Sequence, residues 1–212
     1  MSSKIIPIFI AWISLLLSHS LMAQEPTWLE HRQFDLKPGM KLVYEAYSSG
    51  NIMGQRIRED YAITIRDLWL NGVTFQYALN QKVLGYEQGL QTLSSLDDCA
   101  SIDPWWEPSA MDFDDRCELW ISKKAFRELK GMGKAWLNVD TVMRNDTTVR
   151  WEFLAIVQYS CNVDGIPRIF RALLLKTNRG DDVVVLDDPQ NPLILSIKSA
   201  YFEWKIIAIN HE

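Results

Sequence analysis

Proton transfer near neutral pH most often runs through histidine, and beyond residue 23 this chain has only His31 and His211, one near each end. A Ser-His-Asp or Cys-His arrangement is therefore not expected. A two-histidine metal site would need the termini to meet, because no pair stands at helical or hairpin ligand spacing. Phosphate-cradling and dinucleotide fingerprints are missing as well, since Gly131 and Gly133 are too few and follow no strand-to-helix signal. The expectation is no catalytic residue, no metal and no cofactor.

Carboxylates are the remaining reactive class, and the densest group surrounds one cysteine pair: Asp97, Asp98, Asp103, Glu107, Asp112, Asp114, Asp115 and Glu118. Two carboxylates at a suitable separation hydrolyse glycosides, and several together bind calcium. Asp112-Phe113-Asp114-Asp115 lacks the glycine turn and ligand spacing of a calcium loop, so a solvated acidic loop is the plainer reading. Trp105 and Trp106 stand in the same loop. Aromatic platforms beside carboxylates stack sugar rings while accepting hydroxyl hydrogen bonds, which makes Trp105, Trp106, Asp112, Asp114 and Asp115 a candidate carbohydrate- or peptide-binding set. The competing reading folds both indoles back as a lid over the end of a sheet. The other tryptophans carry no separate weight, because most fall on strands where burial accounts for them.

The N-terminus runs from Lys4 through an apolar stretch, Ile5 to Leu17, into Ser18-His19-Ser20 and Leu21-Met22-Ala23. Charged, apolar and small segments in that order form a signal peptide. A bilayer span needs about 20 apolar residues, and this run is shorter and broken by Pro7. Residues 1–23 are thus expected to be removed, leaving one β-rich domain over 24–212 that is secreted or periplasmic, with no later membrane-spanning segment. Loss of Lys4 with the leader leaves 21 basic against 27 acidic residues, a balance poorly suited to nucleic acid.

In an oxidising compartment the three cysteines, Cys99, Cys117 and Cys161, allow three single pairings. Cys99 with Cys117 is favoured, because the two bracket a turn-rich segment with no hydrophobic pattern of its own to hold it. Three buried, reduced thiols are the alternative. Cys161 is in register with the apolar face of its strand and is expected to be a buried free thiol.

The elements that must carry these groups are mostly strands. Val149, Trp151, Phe153, Ala155, Val157 and Tyr159 alternate with Arg150, Glu152 and Gln158, the pattern of a half-buried antiparallel strand. Ile57, Tyr61, Ile63, Ile65 and Trp69 alternate likewise with Arg58, Asp60, Thr64 and Arg66. Turn residues separate such runs at Ser49-Gly50-Asn51, Asn71-Gly72, Arg144-Asn145-Asp146, Asp164-Gly165, Arg179-Gly180-Asp181 and from Asp187 to Pro192. The reading is a meander of about nine strands. Curling into a barrel or half-barrel buries its apolar face with the fewest exposed edges. One short helix, capped by Ser122 and ended by Gly131, presents Ala125, Phe126 and Leu129 inward and packs at the mouth of the curl. Its other face carries Lys123, Lys124, Arg127 and Lys130, a solvated basic face.

Three stretches carry a resemblance: Pro38 to Glu45, Leu119 to Phe126, and Leu186 to Leu195, the last containing Asp187-Asp188-Pro189-Gln190-Asn191-Pro192. Together they resemble a family of secreted bacterial envelope proteins of unknown function with a curled, mainly antiparallel β domain. The resemblance implies a fold and brings no catalytic residues. Pro189 and Pro192 cannot donate to a ladder, so the third stretch reads as strand, rigid corner, strand.

The functional expectation is a non-enzymatic envelope module binding an apolar ligand or another envelope component. A carbohydrate- or peptide-binding surface at Trp105 and Trp106 is the first alternative, and a carboxylate-based hydrolase the second.

Overall fold

The computed structural model describes residues 33–48, 57–81, 85–102, 110–139, 147–200 and 202–211. The expected leader, His31, Asp103, Trp105, Trp106 and Glu107 lie outside the described residues. Those described belong to one unit that starts at Arg32.

Twelve strands and, among the described residues, one helix follow the chain in the order β1 (Lys41–Ser48), β2 (Ile57–Trp69), β3 (Gly72–Gln81), β4 (Gly85–Leu93), β5 (Ser101–Ile102), β6 (Ala110–Phe113), α1 (Lys123–Met132), β7 (Lys134–Val139), β8 (Thr147–Val163), β9 (Ile166–Thr177), β10 (Asp182–Leu186), β11 (Ile194–Lys198) and β12 (Phe202–Asn210). All the strands join one sheet, ordered β5-β7-β8-β9-β10-β11-β12-β1-β2-β3-β4-β6. The fold is mainly β, a curled antiparallel sheet, as the alternation predicts. The short β5 and β6 at its ends pair in parallel with their neighbours β7 and β4, and every other adjacent pair in that order is antiparallel.

The curl brings distant strands together twice. Ala208 and Ile209 of β12 pair in parallel with Asn162 and Val163 at the end of β8. At the far edges, Ser101 of β5 bridges Arg116 just beyond β6, and the Cys117 amide donates to the Ser101 carbonyl at 2.9 Å. The edges meet at this seam without a continuous ladder, so the sheet does not close into a regular barrel. Cys99 and Cys117 are joined across the seam as a disulfide with Cα atoms 6.0 Å apart, and Cys161 is a buried thiol.

One apolar cluster fills the interior. Tyr44, Tyr77, Phe75, Trp120 and Phe126 are its largest fully buried members. Ser122 accepts from the Ala125 amide at 3.1 Å, and Ala125, Phe126 and Leu129 of α1 face inward. The helix ends at Gly133 rather than Gly131: Gly133 takes the left-handed conformation (φ 73°), and its amide reaches the Leu129 carbonyl at 3.1 Å.

Alternation along β8 is interrupted by a bulge at Leu154. Val149 and Trp151 before it are buried against the Leu173 and Leu175 side of β9; Tyr159 and Cys161 after it pack with the Phe170 and Ala172 side. The bulge transfers the buried side from one face of the ribbon to the other, so Ala172 and Leu173, neighbours in sequence, are both fully buried. Ile156 and Ile169 are left exposed on the outer surface of the far half.

Candidate functional site

The corner between β10 and β11 is polar and buried. Asp187 accepts from Lys130 Nζ at 2.9 and 3.2 Å and from Arg171 Nε at 2.8 Å, with the Lys130 side chain only 8% exposed. Asp188 receives the amides of Gln33, Gln190 and Asn191 at 3.1, 2.9 and 3.3 Å. Gln33 also exchanges hydrogen bonds with the Arg171 backbone and donates to the Asp187 carbonyl. These contacts pin the extended segment before β1 against the corner. The corner is sewn to the chain before α1 by the Trp120–Leu193 bridge and by the Ile121 amide on the Pro192 carbonyl at 3.1 Å. The two prolines, which cannot donate, sit where no ladder donor is needed.

A cleft of about 390 Å³ opens beside this corner. One wall is the tight turn between β2 and β3, with Leu68, Trp69, Leu70, Gly72 and Val73. Trp69 and Gly72 are cross-strand partners, and a side chain at Gly72 would overlap the Trp69 ring and the Leu93 carbonyl. Phe34 and Leu36 come from the pinned segment, Leu96 from the loop after β4, Trp120 and Ile121 from the chain before α1, and Pro192 from the corner. Only Lys123, Gln190 and Asn191 add polar side chains. Lys123 Nζ is held by the Leu70 carbonyl and Asp97, each at 2.9 Å, which ties the start of α1 to both flanking loops. Asn191 Oδ1 accepts from the indole of Trp120 at 2.8 Å. Apolar side chains predominate among the lining residues, although the surface they and the backbone expose to the cleft is divided almost evenly between polar and apolar atoms. This cleft lies beside the start of α1, and the described core residues form one packed cluster inside the curl.

The described members of the acidic group do not converge: Asp98 is exposed and Asp97 partly so. Asp112 sits on β6 and Asp114 and Asp115 follow it, all exposed, with Asp115 3.9 Å from Arg116. Glu118 is buried at a left-handed backbone position (φ 45°). Among the described residues no group of three or more His, Cys, Asp or Glu side chains could hold a metal ion. Nor is any described helix long and apolar enough to cross a membrane.

A histidine contact went unforeseen. His211 Nδ1 lies 2.7 Å from Asp164 Oδ2, and the His211 amide donates to Asp164 Oδ1 at 2.8 Å. The backbone bond and then the ring bond from His211 hold the Asp164 carboxyl below its ordinary range. The pair lines a second, smaller cleft of about 240 Å³ with Lys37, Arg168 and Phe170. Asp164-Gly165 is visible in sequence as a turn, but its meeting with the C-terminal strand depends on the β8–β12 contact. In the interior, burial raises Tyr44 and Tyr61 well above the usual tyrosine range and pushes the Cys161 thiol up to about 11. These groups are neutral at physiological pH and act as packing.

No protein-family model matches the chain, and no curated protein and no solved structure is significantly similar to it.

Proposed function

We propose that the protein is an exported envelope module without catalytic activity that holds an apolar ligand in the cleft between the β2–β3 turn and the Asp187–Pro192 corner. The observation that carries this reading is the cleft itself: about 390 Å³ of space bounded by Phe34, Leu36, Trp69, Leu96, Trp120 and Ile121. The apolar part of the lining favours a ligand that replaces water there. Trp69 and Leu70, at 43% and 84% exposure, stand ready to cover an occupant. Export and an envelope setting rest on the leader pattern, on the resemblance of the three stretches, and on a disulfide, which persists in oxidising compartments.

Titration calorimetry with heptylbenzene tests the proposal. Wild type should show saturable one-to-one binding that Leu36→Trp, which fills the cleft from the pinned segment, abolishes. Trp105→Ala with Trp106→Ala should leave binding unchanged. Equal binding by wild type and Leu36→Trp, or no saturable binding by wild type, would refute it.

A further inference from the structure

The smaller cleft beside the His211–Asp164 pair exposes more polar than apolar surface, and the segment before β1, the β8–β9 turn region and the C-terminal end of the chain meet there. The acceptor side chains of its wall are already engaged. Asp164 Oδ1 takes the His211 amide and Oδ2 the His211 ring, while Gln33 commits its side-chain amide to the Arg171 backbone and the Asp187 carbonyl. Asp35 is likewise not without a partner.

The cationic donors are in the opposite state. Among the described residues, the guanidinium of Arg168 and the ammonium of Lys37 have no hydrogen bond or ion pair, although both residues line the cleft. A carboxylate only accepts, so the imidazole proton shared with Asp164 is on Nδ1, and Nε2 is left uncommitted.

The strand register gives Arg168 its direction. It is the cross-strand partner of Cys161 and stands two residues before Phe170 on β9, and both of those side chains are buried. Cross-strand partners and alternate residues share one face of a ribbon, so Arg168 leaves β9 on the core-facing side. An arginine thus stands where the inward series of Phe170 and Ala172 would call for another apolar side chain. After the bonds and charge of His211, its charge also contributes to the lowering of Asp164. An uncommitted guanidinium fork matches the paired oxygens of a carboxylate or phosphate.

We propose that this second cleft binds a small molecule through an oxyanion group, a carboxylate or a phosphate, with Arg168 gripping the oxygens and Lys37 adding counter-charge. The proposal does not depend on the first cleft holding a ligand.

Titration calorimetry at physiological ionic strength tests it with benzoate, phenyl phosphate and the neutral benzamide. Wild type should bind at least one anion saturably and one-to-one, and benzamide about tenfold more weakly, the order of one charge-assisted hydrogen bond. Arg168→Gln should weaken the bound anion about tenfold, and Lys37→Gln about threefold, as for an exposed ion pair. Heptylbenzene should not compete, because the two clefts have only Phe34 in common. Tighter binding of benzoate supports the inference with a carboxylate as the recognised group, and tighter binding of phenyl phosphate supports it with a phosphate. Benzamide binding as tightly as the anions, anion binding that survives both substitutions together, competition by heptylbenzene, or saturable binding of neither anion overturns it. Should the variants not fold, nuclear magnetic resonance of wild type decides: the anion should shift the amides of Gly165, Arg168 and His211 most, and shifts confined to other parts of the chain contradict the proposal.

Discussion

Removing the seam disulfide should be the most damaging change that leaves the sheet's own ladder hydrogen bonds in place. Cys99 and Cys117 are 18 residues apart and close the loop that contains both edge strands of the sheet. In the chain-entropy treatment a closed loop of that length restricts the unfolded chain by about 3 kcal/mol. For a domain of this size each kcal/mol moves the melting temperature by roughly 2–4 °C, so Cys99→Ala with Cys117→Ala should melt roughly 6–12 °C lower. Cys161→Ala is the control, since it removes a buried sulfur without opening a loop. The loss should also be local. The amide of Cys117, on the Ser101 carbonyl, and that of Asn138, on the Ala100 carbonyl at 2.8 Å, should exchange with solvent faster in the double variant, whereas the amides of β9 should not. Differential scanning calorimetry and hydrogen exchange read the two effects. A double variant melting within about 2 °C of the control would refute the seam as the place where the curl is fastened.

Other consequences follow from buried or paired charges. Lys130→Met should destabilise by about 3 kcal/mol, at the low end for breaking a buried pair because Arg171 still faces Asp187, and chemical denaturation would show it. The Cys161 thiol, pushed up to about 11 by burial, should react with a thiol reagent at pH 8 about a hundredfold more slowly than in the unfolded chain, before access is counted. Comparable rates would place Cys161 at the surface. Asp164 has a lowered folded pKa, so its contribution to stability is present above the ordinary carboxylate range and is lost as pH falls through the folded value. Asp164→Asn should flatten the acid limb of the stability curve, and an unchanged limb would contradict the His211 contact.

Local chemistry was legible where one residue decides the outcome. Asp164 and Gly165 both take positive φ, 50° and 78°, as a tight hairpin turn requires, and Ser122 caps α1 as its position before the amphipathic stretch implies. The pairing of Cys99 with Cys117 could be anticipated because a segment with no core of its own must be held by something else. The end of α1 could not be placed, since Gly131 and Gly133 both suit a helix terminus and only the bond to the Leu129 carbonyl chooses between them. The sequence shows about nine strands where the structure has twelve, and two of the extra ones, β5 and β6, are too short to show alternation. Bulges at Leu154 and Arg66 were hidden for the opposite reason: an inserted residue disturbs the pairing without breaking the run of apolar residues.

The cleft is illegible in the sequence because five separated segments build it. Trp105 and Trp106 stand out in the sequence because they lie in a loop, whereas tryptophans on strand patterns look like core. Trp69 fits a strand pattern, yet it ends β2 partly exposed over Gly72, and Trp120 is buried with its indole committed to Asn191. The Asp187–Pro192 corner reads in sequence as rigid. That it also carries the polar wall of a cavity depends on Trp120, which lies 71 residues away from Asn191 along the chain.

Crystals grown with a brominated alkylbenzene, measured at the bromine absorption edge, would locate an apolar ligand directly. The anomalous peak should lie between Trp69, Phe34 and Trp120. A peak confined to the outer face near Ile156 and Ile169, or no peak in the cleft at saturating probe, would contradict the assignment of this rim as the place where the protein holds its ligand.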